Sequence, residues 1–179
     1  MSRAVERVVV TAPARANLIG NPSDLYGGAV LGCAVPCRAR VELRAAERLE
    51  VATGDDTFVI ATRDDLRMQG DRFDVARAAL AAQPELLHVQ IAYASEIPFG
   101  SGLAGSTALL VALLRALAAW RGETPSLYEL AERSRHTERD LMGVACGWVD
   151  HYLCAFGGLR YVRSEEHTSE LQSRRISSY

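Results

Sequence analysis

Between residues 98 and 107 the chain reads Pro98-Phe99-Gly100-Ser101-Gly102-Leu103-Ala104-Gly105-Ser106-Thr107, a glycine-rich turn between a strand-like segment, His88 to Ser95, and a long apolar segment, Leu103 to Trp120. Glycines free the backbone from Cβ sterics, so N–H groups can converge on an anion, and the positive end of the following helix adds to the same point. The order of strand, glycine turn and helix is that of a phosphate-binding element. Gly100-x-Gly102-x-x-Gly105 satisfies the dinucleotide fingerprint, which also needs a second strand ending in an acidic residue about 20 positions on. Roughly the next 40 residues read as two helices instead. A P-loop needs Gly-x-x-x-x-Gly-Lys-[Ser/Thr]. Gly100 and Gly105 have that spacing, but Ser106 follows, and the chain has no lysine, its 20 basic residues all being arginine. A P-loop lysine and a Schiff-base lysine are both excluded.

Two further segments bracket the loop. The first is Ala12-Pro13-Ala14-Arg15-Ala16-Asn17-Leu18-Ile19-Gly20-Asn21-Pro22-Ser23-Asp24, followed by Tyr26-Gly27-Gly28. The second is Glu138-Arg139-Asp140-Leu141-Met142-Gly143-Val144-Ala145-Cys146-Gly147-Trp148-Val149-Asp150, followed by Gly157-Gly158. With the loop itself, which continues to Ala108, they resemble the ordered motifs of the GHMP kinases, the superfamily of galactokinase and mevalonate kinase. The resemblance covers residues 8 to 162. It implies an α+β fold of two domains whose motifs meet in the cleft between them. On this reading residues 1–162 are the N-terminal ATP- and substrate-binding domain, a ribosomal-protein-like mixed sheet with packed helices, and the second, C-terminal α+β domain is absent.

The same resemblance implies ATP and Mg2+ as cofactors. Pro98, Gly100, Ser101, Gly102, Leu103, Ala104, Gly105, Ser106 and Thr107 would hold the nucleotide, and Ser106 and Glu138 the metal. Asp150 would accept or orient the proton of the acceptor hydroxyl, and Arg15 would stand beside the transferring phosphoryl group. Asn21, Asp24 and Gly147 would meet the acceptor. Galactokinases carry Glu-His where this chain has Asn21-Pro22, and Asn21-Pro22-Ser23-Asp24 instead resembles the glucuronokinase branch, which phosphorylates the anomeric hydroxyl of a uronic acid.

Each of these residues also has a plainer reading. Ser106 or Thr107 can cap a helix. Glu138 near a helix end is ordinarily a surface charge. Asp150 can be a turn or N-cap residue after Gly147, although the apolar stretch Val144 to Phe156 is a costly place for an idle carboxylate. Arg15 defaults to an exposed ion pair, and Pro22-Ser23-Asp24 to a turn. Cys146, His151 and Cys154 match no established metal spacing, and the four cysteines read as free, mostly buried thiols.

The remaining chain reads as α+β, with strands at Val8 to Thr11, Ala29 to Val35, Ala39 to Leu43, Leu49 to Ala52, Thr57 to Ala61 and Gly158 to Val162. Helices are expected from Asp71, as N-cap, to Gln83, and from the capping box at Ser126 and Glu129 to about Leu141. A net charge of -2 gives no basic footprint for nucleic acid. The apolar run ending at Trp120 is interrupted by Ser106, Thr107 and Arg115 and reads as a buried helix rather than a membrane span. With no signal peptide, a cytoplasmic location is expected. Residues 163 to 179 resemble the in-frame translation of a sequencing-adapter oligonucleotide and are expected to be a non-native tail.

The function expected is an ATP-dependent small-molecule kinase acting on a sugar hydroxyl, glucuronokinase-like, inactive alone in this truncated form. A non-catalytic nucleotide- or sugar-binding protein of the same fold, and a galactokinase, heptose or mevalonate type kinase, are the alternatives. The sequence is silent on oligomeric state.

Overall fold

The computed structural model describes residues 6–164. It is a two-layer α+β arrangement, in which a mixed sheet carries its helices on one face. Strand β1 (Arg7–Ile19) pairs antiparallel with β2 (Ala29–Ala45). The segments Ala29 to Val35 and Ala39 to Leu43, expected as two strands, are thus one. Pro36 lacks a ladder donor, but the register shifts between Pro13 and Ala14, so the chain bulges past Pro36 and Cys37 and continues. Then follow β3 (Leu49–Thr53), β4 (Asp56–Ile60), α1 (Asp74–Ala81), β5 (Val89–Ser95), α2 (Gly105–Trp120), α3 (Leu127–His136), α4 (Val149–Phe156) and β6 (Leu159–Arg163). The sheet order is β1-β2-β5-β3-β4, with β6 pairing β2. Only β3 and β5 run parallel.

Helix α2 is the centre of the core. Almost all of its residues from Thr107 to Ala118 are buried, Arg115 excepted. A helix apolar all round has to be enclosed on every side, and α2 lies across β1 and β2 with α1, α3 and α4 around it. Ala14, Val41, Leu43 and Ile91 of the sheet pack against it with no exposed surface.

Strand β1 runs past its expected end at Thr11 to Ile19, and three further expected boundaries shift. Asp71 does not cap α1, which starts at Asp74 after Phe73; the Asp71 carboxylate instead accepts from the Phe73 N–H and from the buried Arg77 guanidinium. The helix expected to reach Leu141 is α-helical only to His136 and then widens into a π-helical turn, Thr137–Leu141. Arg163 and Ser164, assigned above to the tail, belong to the fold. Arg163 completes the pairing of β6 with Ala29, and the buried Ser164 hydroxyl bonds the Asp24 and Gly28 carbonyls at 2.8 and 2.9 Å. The rest of the expected tail lies outside the described residues.

Candidate active site

The turn after β5 holds Gly100 at φ 69° and Gly102 at φ 70°, angles that glycine adopts without Cβ strain. A Cβ at either would meet nothing within 4 Å, so these positions call for glycine through backbone conformation rather than crowding. Ala104 follows in the left-handed region (φ 58°, ψ 44°), the only non-glycine residue of positive φ among those described. Strain of this kind persists where the surroundings enforce it, often at ligand sites. Helix α2 starts at Gly105, and its first closing bond runs from Ala108 N to Ala104 O at 2.9 Å. Ser106 and Thr107 therefore lie inside the first turn rather than at the cap, where N–H groups lack intrahelical acceptors.

Arg15 ties this loop to the opposite wall. From β1 its Nε and Nη2 donate to the two Asp150 oxygens, each at 2.6 Å, and Nη1 donates to the Gly102 carbonyl, also at 2.6 Å. Its backbone N–H donates to the Leu103 carbonyl at 3.1 Å. The guanidinium is nearly buried, with 11% of its side chain exposed against 28% for Asp150. A planar fork that satisfies one carboxylate bidentately while reaching a third acceptor is geometry that lysine cannot supply. Asp150 is the second residue of α4, close to the positive end of that helix.

Glu138 is not a surface charge. The π-helical turn carries it inward to 6% exposure, and such turns are frequent at functional sites. Its Oε2 accepts from Thr107 Oγ1 at 2.9 Å and lies 2.7 Å from His151 Nε2. Burial alone raises the Glu138 pKa; the His151 hydrogen bond and charge, with the Thr107 hydroxyl, outweigh it and hold the carboxyl below its ordinary value. Glu138 thus meets the first turn of α2, which carries both Ser106 and Thr107. An ionised carboxylate beside a hydroxyl is a donor set that fits magnesium, which takes one or two protein oxygens in such sites.

The expected acceptor residues divide. Asn21 is exposed and accepts from Asn17 Nδ2 at 2.8 Å. Asp24 is 3% exposed, and its Oδ2 accepts the N–H groups of Trp148 and Val149 at 2.9 and 3.1 Å. Instead of lying open to an acceptor hydroxyl it anchors the start of α4, two residues from Asp150. Gly147 is tied to the same anchor, because a Cβ there would collide with the Asp24 carboxylate. Arg135 secures that corner, donating to the Gly147 carbonyl at 3.2 Å and lying 3.9 Å from the Trp148 ring centroid.

A cavity of about 620 Å³ opens beside the loop, walled by Val75, Tyr93, Ile97 and Leu109 and bordered by Arg15. A second, of about 490 Å³, lies between β1, β2 and the end of α4, where none of the expected site residues reaches. Two residues that the sequence reading set aside, because they match no established metal spacing, lie against Glu138. His151 and Cys146 converge on Glu138, while Cys154 sits in the core. The adjacency of His151 to Asp150 was the available signal. All four cysteines are free thiols, Cys154 buried and the others partly so. No helix among the described residues is long and apolar enough to cross a membrane.

Residues 73–158 match the family described as GHMP kinases N terminal domain, and residues 2–45 the galactokinase galactose-binding signature. A galactokinase of Thermotoga maritima is 29% identical over 151 residues, covering 83% of this chain and 43% of that protein. A mevalonate kinase of Methanothermobacter thermautotrophicus is 28% identical over 163 residues, covering 91% and 52%. The crystal structure of Lactococcus lactis galactokinase complexed with galactose superposes with a TM-score of 0.81 at 18% identity, over 97% of this chain and 47% of that one. The chain thus spans about half the length of the curated relatives it matches. Motif order, sheet topology and both family matches agree, and the chain belongs to the GHMP kinase superfamily, whose N-terminal domain it carries.

Proposed function

We propose that this chain serves ATP- and magnesium-dependent transfer of a phosphoryl group to the hydroxyl of a small molecule, a sugar or uronic acid. The observation that carries the reading is Arg15, which bonds Asp150 and the glycine loop at once. Phosphoryl transfer is mostly positioning and charge stabilisation. One fixed cation between the phosphate cradle and the carboxylate meets both needs. Bound ATP supplies the phosphoryl group, and magnesium neutralises charge across its phosphates. Free N–H groups of the loop and the first turn of α2 hold phosphate oxygens, Ser106 and Glu138 hold the metal, and the walls at Val75 and Tyr93 take the base. Asp150 accepts or orients the acceptor proton. Asp24 and Gly147 act through the start of α4, which they position, and Asn21 borders the acceptor. The reading implies a cytoplasmic protein with small-molecule partners.

Glucuronate is the first acceptor to test, because of Asn21-Pro22-Ser23-Asp24, and galactose the second, because residues 2–45 match a galactose-binding signature. Heptoses and mevalonate complete the panel. Equilibrium binding should show Mg-ATP bound by the chain and weakened by Gly102→Val, whose β-branched residue cannot take the left-handed φ without strain. ATP binding that is absent, or indifferent to that substitution, overturns the reading. Binding of ATP and sugar with no turnover on any acceptor, even in a protein extended to the length of its relatives, would favour a non-catalytic binding protein of the same fold.

A further inference from the structure

Glu138 also belongs to a second group of donors. Glu138 from the π-helical turn, Cys146 from the following loop and His151 from α4 bring a carboxylate oxygen, a thiol sulfur and an imidazole nitrogen within 4.8 Å of one another. His151 has no exposed surface and Glu138 is buried, while Cys146 is partly open. His151 Nε2 faces Glu138, and its Nδ1, equally buried, has no hydrogen-bond partner.

We propose that Glu138, Cys146 and His151 form a binding site for a borderline divalent cation of the Zn2+ type, different in donor chemistry from the all-oxygen set expected for magnesium. Three protein donors of mixed N, O and S type with a fourth position open is a zinc arrangement, whereas magnesium selects oxygen. Zinc bonds of about 2.0–2.1 Å to N and O at a tetrahedral angle place those atoms roughly 3.3 Å apart, so the Glu138–His151 contact has to open only slightly. On binding, the Cys146 S–H bond breaks, an S–Zn bond forms and the proton leaves to solvent. Because Glu138 is shared, an occupied site withdraws it from the metal of ATP, and zinc acts as an inhibitor of the reaction proposed above. The site itself is detected by metal binding alone and stands whether or not the chain is a kinase.

The test is titration of the reduced, metal-free 179-residue chain with Co2+, followed by Zn2+. The expected result is one Co2+ per chain, with a thiolate-to-cobalt charge-transfer band that a single equivalent of Zn2+ abolishes and excess Mg2+ does not. Cys146→Ser, at a partly exposed position, should remove the band and weaken Zn2+ by about tenfold or more, the scale seen when a metal site loses a supporting group. Cys33→Ser, outside the three-donor cluster, should leave both unchanged. His151→Gln should weaken Zn2+ while circular dichroism confirms the fold. A charge-transfer band that survives Cys146→Ser, equal competition by Mg2+, or no stoichiometric Co2+ binding would overturn the site.

Discussion

Asp150 and Glu42 show how differently two arginine-paired carboxylates behave. Asp150 pairs with a single arginine and keeps 28% of its side chain exposed, and under the proposed function its second task is to handle a proton. Where turnover with an acceptor is established, Asp150→Asn is expected to lower kcat by about two to four orders of magnitude while ATP affinity stays nearly unchanged. Steady-state kinetics beside equilibrium ATP binding check this, and an equal loss in both would move Asp150 from the chemistry to the loop. Glu42, on the sheet face away from the helices, is bonded by Arg7, Arg40 and Arg44 at 2.7–3.0 Å. These hydrogen bonds hold its carboxyl far below the ordinary 4.5. A depressed folded pKa gives stability that is complete above the unfolded value and lost as pH falls towards the folded one. Glu42→Gln should therefore lower Tm near neutral pH and flatten its decline below about pH 4.5, as thermal melts across pH will show. An unchanged acid slope would mean the cluster contributes nothing.

The starts of α2 and α4 are each held by an identifiable residue, and each offers a test. At the head of α2, Ala104 sits in the left-handed region, which costs a non-glycine residue about 1–2 kcal/mol. Part of that is returned on mutation to glycine, whose unfolded chain is freer, so Ala104→Gly should raise stability by up to about 1 kcal/mol in urea melts. A loss of stability would show that the alanine methyl has a packing role. At the head of α4, Asp24 receives two backbone N–H groups. Asp24→Ala should cost about 1–2 kcal/mol, and Asp24→Asn, which keeps an acceptor, clearly less. Equal losses for the two would point to charge rather than capping. Neither element was visible in full from the sequence. An apolar run marked α2 and a capping box marked α3, but α4, only Val149–Phe156, is too short to separate a helix from an apolar run. The π-helical turn carries no composition signal at all, since its one residue of extra winding is set by what Glu138 meets inside.

Across the whole molecule, Ser164, just after β6, locks the loop between β1 and β2. Ser164 N donates to the Gly28 carbonyl at 3.0 Å and its hydroxyl bonds the Asp24 and Gly28 carbonyls. Ending the chain after Val162 should therefore lower stability by about 1–3 kcal/mol relative to ending it after Ser164, because buried acceptors lose their donors. Equal melting temperatures for the two truncations would return the fold boundary to Val162. The sequence by itself determined the ordered motifs, the buried character of α2 and the glycines of the phosphate loop, because these depend on local conformational freedom and on the spacing of apolar residues along one element. It also supplied Arg15, Glu138 and Asp150 as chemically apt residues. Only the tertiary structure decided what each one touches. Arg15 and Asp150 are separated by most of the domain and meet because β1 and α4 pack together. Asp24 is buried beneath α4 instead of open to an acceptor, and His151 and Cys146 join Glu138 through the turn that swings it inward. Contacts between residues far apart in sequence follow from how whole elements pack, and no local pattern encodes them.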